Sequence, residues 1–162
     1  MGSNRYNQFV KQRMRDEQPD VAKLIQIASM MRQDYGLTVH REKILLFNSK
    51  TGELKGHYSF ITKQQFNRDH FHVPDLIFFI KSKMYVFEID GPIHDTNAAV
   101  AKKDQFRNED YQRAGLNFEI FNEWEILLSQ GESPTRSATA DELIPEIKKR
   151  VEKILEENSI TF

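Results

Sequence analysis

The chain has no cysteine, and that absence removes both a disulfide framework and any thiolate-held zinc. It also lacks a long apolar run. Nothing in it approaches the roughly 18 consecutive apolar residues of a membrane helix, and its first residues carry no apolar stretch of the secretory-leader kind. The expected setting is therefore cytoplasmic, with no membrane partner. An excess of one charge is missing too: 23 lysines and arginines stand against 24 acids, for a formal net charge of −1. The global basic excess that marks many phosphate-tracking proteins is absent. No internal repeat or low-complexity tract is visible.

What is present is the composition of a globular protein, with 39% hydrophobic, 11% aromatic and 29% charged residues, too apolar for a disordered chain and too charged for a membrane one. Its 162 residues fit one ordinary domain with a single core, expected over about 20–130 with a C-terminal helix over about 140–157. "PDVAKLIQIASMMRQDYG" places Val21, Leu24, Ile25, Ala28 and Met31 at helical spacing before Gly36, which predicts a helix. "KILLF" (43–47) followed by the glycine-bearing "SKTGELKG" predicts a hairpin, with "HYSFITKQQF" as a further strand. "DLIFFI" (75–80) and "MYVFEI" (84–89), split by Lys81, Ser82 and Lys83, read as adjacent strands buried on both faces. A helix from Ala98 to Ala114 stopped by Gly115, a strand over 117–121, a short helix in "NEWEILLSQG" and an amphipathic helix over 140–157 complete the reading. The order implies an α/β fold with a central mixed β-sheet flanked by helices.

The costly feature is "VFEIDGPIHD" (86–95), in which an apolar strand ends in two carboxylates one residue apart. With the turn centred on Lys81 and Ser82, Asp75 stands opposite Glu88, and Asp90 shares Glu88's face. Like charges about 5 Å apart repel by roughly 3 kcal/mol at an effective dielectric of 20, and burial adds to this. A hard divalent ion reverses the sign, because Mg2+ and Mn2+ take carboxylate oxygens. The plainer alternative is that Asp75 caps a strand after Pro74 while Glu88 and Asp90 mark a strand's solvent end.

The motif "VPDLIFF" followed by "FEIDG" resembles the PD-(D/E)XK nuclease superfamily, in which Pro-Asp and a downstream Glu-X-Lys occupy adjacent strands. Here the matching residues are Pro74, Asp75 and Glu88. The longer series Glu88, Asp90, Gly91, His94, Asp104, Arg107 and Gly115 is similar to the very-short-patch-repair (Vsr)-like endonuclease-related branch, over about residues 66–125. The resemblance implies a restriction-endonuclease-like core and a Mg2+- or Mn2+-dependent endonuclease acting on DNA rather than RNA. It implies metal held by Asp75, Glu88, the carbonyl of Ile89 and Asp90. Asp90 stands where the superfamily has its lysine. The zinc-binding cysteines of the mismatch-cutting members are absent, so mismatch recognition is not implied.

A substitute cation is sought on the helix after the strand, where Lys103 and Arg107 share a face with Val100, Tyr111 and Ala114. Lys103 is taken as the cation that polarises water or holds phosphate, although pairing of this helix's bases with Asp104 and Asp110 is the competing reading. His94 is a candidate for proton transfer or phosphate contact. His70 and His72 alternate like a zinc pair, but no cysteine or third histidine offers itself as partner, so no zinc is assigned. Arg13, Lys63, Arg68 and Lys103 are expected to form one basic rim for nucleic acid. A homodimer is one option, since such folds often pair to cut both strands. The alternative function is a catalytically inactive nuclease-fold module that binds nucleic acid or a protein partner.

Overall fold

The computed structural model describes residues 21–91, 97–132 and 136–161. Along these the order is α1 (Val21–Tyr35), β1 (Ile44–Phe47), β2 (Leu54–Tyr58), α2 (Lys63–Arg68), β3 (His70–His72), β4 (Leu76–Ile80), β5 (Lys83–Asp90), α3 (Ala98–Arg113), β6 (Asn117–Asn122), α4 (Glu123–Ser129) and α5 (Ala140–Glu157). The fold is mixed α/β, with two three-stranded sheets in place of one central sheet. One has the order β4-β5-β6 and is mixed, β4 running antiparallel and β6 parallel to β5. The other has the order β2-β1-β3 and is antiparallel throughout. A single bridge between His40 and Ile77 joins β4 to the segment leading into the second sheet.

Alternation along β5 explains the layers. Tyr85, Phe87 and Ile89 face a core built with Leu24, Ile27 and Met31 of α1 and Leu143, Ile147, Val151 and Leu155 of α5. Val86, on the opposite face, packs with Ile77, Tyr111 of α3, and Leu45 and Phe47 of β1. Glu88 and Asp90 follow Val86 at even positions, so alternation carries them onto the α3 side of the sheet. Burial on both faces is why β4 and the Met84–Phe87 stretch of β5 read as apolar runs.

The predicted strand in "HYSFITKQQF" is mostly overturned: only His57 and Tyr58 are strand, the end of a β2 that begins at Leu54 inside the predicted turn, and Lys63–Phe66 open α2. The cause is a capping box: the Gln65 N–H donates to Thr62 Oγ1 at 3.1 Å and the Thr62 N–H to Gln65 Oε1 at 2.7 Å. Two otherwise orphaned donors are satisfied at once, which favours a helix start over continued extension.

The turn between β4 and β5 is the two-residue kind expected, with pairing from Leu76↔Phe87 to Ile80↔Lys83. Lys81 and Ser82 both have positive φ, at 50° and 69°, a conformation that matches strand twist but strains any residue with a Cβ. Ser82→Gly is therefore expected to raise stability by about 0.5–1 kcal/mol after the looser unfolded chain is counted. Urea unfolding checks this; no gain would mean that the turn is held by contacts such as the Lys81 Nζ donation to the Asn158 carbonyl at 2.5 Å.

Candidate active site

Asp75 lies one residue before β4 and Glu88 on β5, and both carboxylates are buried, at 4% and 3% exposure. Each is held by the other strand's backbone. The Asp75 N–H donates to Glu88 Oε1 at 2.9 Å, and the Ile89 N–H donates to Asp75 Oδ2 at 2.7 Å. The side chains thus extend the ladder beyond its last backbone pair, Leu76↔Phe87. The register read from the turn is the one observed.

Asp90 is also buried, and the cation that meets these acids is Arg107 of α3. Its Nη2 lies 3.3 Å from both Asp90 carboxylate oxygens, its Nη1 3.4 Å from Asp104 Oδ1, and its Nε 3.5 Å from Glu88 Oε2. The Nε–H also donates to Asn108 Oδ1 at 3.1 Å. One turn further along the helix, Tyr111 donates its hydroxyl to Glu88 Oε2 at 2.7 Å.

The electrostatics follow from burial and crowding. Burial pushes the Asp75 carboxyl well above its ordinary range, and the charge of Glu88 pushes it further. Glu88 is raised as well, chiefly by burial, although Arg107, the Tyr111 hydroxyl and the Asp75 N–H pull it back. Tyr111 is raised well above a free phenol by burial and by Glu88. Burial works against the charge on Arg107, but Glu88 and Asp90 outweigh it and hold the guanidinium charged.

A cleft of ≈ 420 Å³ opens at Asp90, walled by Asp104, Gln105, Asn108, Gln112 and Asn122 among others, with no lysine or arginine among the described residues that line it. A second cavity, ≈ 480 Å³, lies at the far end of the β5–β6 pair beside Arg150 and Glu119. It contains none of the converging carboxylates.

Of the expected site residues, Asp75, Glu88, Ile89, Asp90 and Arg107 come together. Lys103 is exposed on α3 one turn before Arg107, and it is the Arg107 guanidinium that lies against Glu88 and Asp90. Lys63 and Arg68 lie exposed at the two ends of α2. His94 and Arg13 fall outside the described residues.

Sequence reasoning gave Tyr111 no role, although its spacing of four from Arg107 put both on one helix face. It also passed over Glu123, which is buried and receives Lys23 Nζ at 2.9 Å and the Ala138 N–H at 2.6 Å. Its place just after the end of a strand parallel to β5, beside Gly91, was the available signal. No protein-family model, curated protein or solved structure matches the chain.

Proposed function

We propose that the chain is a metal-dependent nuclease with a restriction-endonuclease-like core, hydrolysing phosphodiester bonds in DNA. The observation that carries this reading is the convergence of Asp75, Glu88 and Asp90, all buried, around one guanidinium. Asp104 also meets that guanidinium, so among the described residues Glu88, Asp90 and Asp104 crowd one arginine, with Asp75 hydrogen-bonded to Glu88 beside them. Structural ion pairs rarely leave such an imbalance in a buried place, because uncompensated charge there is expensive. A hard divalent cation offsets it, and a set of carboxylate oxygens is the donor chemistry that Mg2+ or Mn2+ takes.

Asp75, Glu88, Asp90 and the Ile89 carbonyl would hold the ion. When bound, such an ion lowers the pKa of its water and offsets charge on the phosphate. The remaining work belongs to the chain. Arg107 and the Tyr111 hydroxyl favour the ionised form of Glu88 and hold it in place. Asp75, pushed upward by burial, keeps a proton on its carboxyl to higher pH than a solvated aspartate does. Lys103 is assigned to the scissile phosphate and His94 to proton transfer. The acidic cleft at Asp90 repels a phosphate backbone unless a cation intervenes, which makes affinity as well as cutting metal-dependent.

A second reading has its own observation. Asp90 stands where a lysine is usual in the resembling superfamily, and Arg107 already engages both of its oxygens, an arrangement that suits an inactive binding module. Incubation with end-labelled single-stranded, duplex and junction DNA in Mg2+, Mn2+ or chelator separates the two. Cleavage in either metal and none in chelator is the expected outcome. Binding without cleavage in every metal would overturn it in favour of the module.

A further inference from the structure

We propose that His70, His72 and Asp110 form a binding site for a divalent transition-metal ion of the zinc class, separate from the carboxylate site. The proposal stands on geometry and does not depend on nuclease activity. His70 and His72 are the two ends of β3, whose strand period puts both imidazoles on one face. Asp110 comes from α3, 38 residues beyond His72, and is buried at 1% exposure. Its Oδ2 lies 3.0 Å from His70 Nε2 and 2.7 Å from His72 Nε2, and one donor atom from each residue lies within 4.8 Å of the others. Donors around a tetrahedral zinc at about 2.0–2.1 Å stand about 3.3 Å apart. Each imidazole–Asp110 separation therefore has to lengthen by only roughly 0.3–0.6 Å.

The ligands are already held in position. Ser49 Oγ lies 3.0 Å from His70 Nδ1, a hydroxyl that accepts from Nδ1–H when Nε2 turns its lone pair to a metal. Phe47 stacks on His70 at 5.5 Å with an interplanar angle of 11°, and meets His72 edge-on at 5.5 Å. Phe106 is 53% exposed, unusual for so large an apolar ring, and its centroid lies 5.9 Å from His70 and 6.3 Å from His72. A ring placed there shields the cluster from water on the α3 side.

Two neutral imidazoles and one carboxylate suit borderline ions, whereas Mg2+ prefers an all-oxygen set. The His70 side chain is 27% exposed, which leaves a route for the ion and for a water as fourth ligand. Such an ion would tie the antiparallel sheet to α3, the helix that delivers Arg107 and Tyr111 to Glu88.

The test is titration of the full chain, stripped with chelator, with Zn2+ by calorimetry and with Co2+ by visible absorption. One tight equivalent of Zn2+, distinct from any weaker uptake by the carboxylates, and a tetrahedral Co2+ spectrum are expected. His70→Gln, at the more exposed ligand, should fold normally by circular dichroism, lose the spectrum and weaken Zn2+ by at least the order of 10²-fold. Asp75→Asn should leave both signals intact, which separates this site from the carboxylates. Absence of binding in the parent, or equal affinity in His70→Gln, would overturn the proposal and leave a hydrogen-bonded histidine and aspartate cluster. Failure of DNA cleavage would not touch it, since the readout is metal occupancy.

Discussion

Asp75→Asn and Glu88→Gln are each expected to reduce metal-dependent cleavage to the uncatalysed background, while their effects on folding diverge. Each change keeps the side-chain volume and removes one of the charges a metal would require. In chelator, Asp75→Asn should melt above the parent at neutral pH. The amide oxygen can still accept from the Ile89 N–H, and the repulsion from Glu88 is gone. Every kcal/mol released in this way corresponds to about 2–4 °C for a chain of this size.

The sign of the pH dependence follows from the same crowding. Asp75 and Glu88 are both raised above their ordinary values of 3.8 and 4.5. Between the ordinary and the raised values the folded state binds more protons than the unfolded state. Stability from these two groups is therefore full below the ordinary values and declines as pH rises through the folded ones. Asp75→Asn should flatten that decline. His72 acts in the opposite sense: burial lowers it from 6.5, so its contribution is lost as pH falls. Comparing parent and Asp75→Asn across the same pH series cancels the histidine.

Glu88→Gln should not gain stability, because both Glu88 oxygens accept hydrogen bonds, from Asp75 N–H and Tyr111 O–H, and glutamine offers one oxygen. The decisive pair of measurements is melting with and without Mn2+ beside cleavage. Retained cleavage in both variants, or an Asp75→Asn loss of stability that metal leaves unchanged, would remove the site from these residues.

Arg107→Ala should be the most destabilising of the changes considered, by about 3–5 kcal/mol in chelator. The side chain is 13% exposed and meets Glu88, Asp90 and Asp104. Its removal takes the guanidinium away from three carboxylates at once. Arg107→Lys restores the charge but not the planar fork that spans separate acids, so it should recover part of the loss. Mg2+ or Mn2+ should recover stability in Arg107→Ala more than in the parent, because the ion then takes over charge that the guanidinium had offset. Urea unfolding with and without metal reads this directly. Equal metal responses in variant and parent would show that these acids do not form one electrostatic unit.

Much of the site was legible because it depends on short-range rules. A two-residue turn leaves one antiparallel register, and strand alternation then places Asp75, Glu88 and Asp90 together whatever the rest of the chain does. The helices α1 and α5 were legible for a similar reason, since their apolar residues recur at the helical period and show which face is buried.

The helix α3 offers no such pattern. Its sequence "AAVAKKDQFRNEDYQR" opens on small apolar residues and is then largely polar, and its two buried residues are Asp110 and Tyr111. Hydrophobic periodicity could not reveal which charges turn inward, so Lys103 stood ahead of Arg107 as the cation and Asp110 looked like one more solvated acid. Packing against the sheets decided it, setting Arg107 on Glu88 and Asp90, and Asp110 against His70 and His72. The division into two sheets was likewise decided by tertiary structure, because alternation shows that a strand exists but not which distant strand it joins. Local sequence therefore determined the acids' register and the helical cores. The cation that meets those acids, and the partner of the two histidines, were determined by contacts between residues far apart in the chain, whose energies no local pattern encodes.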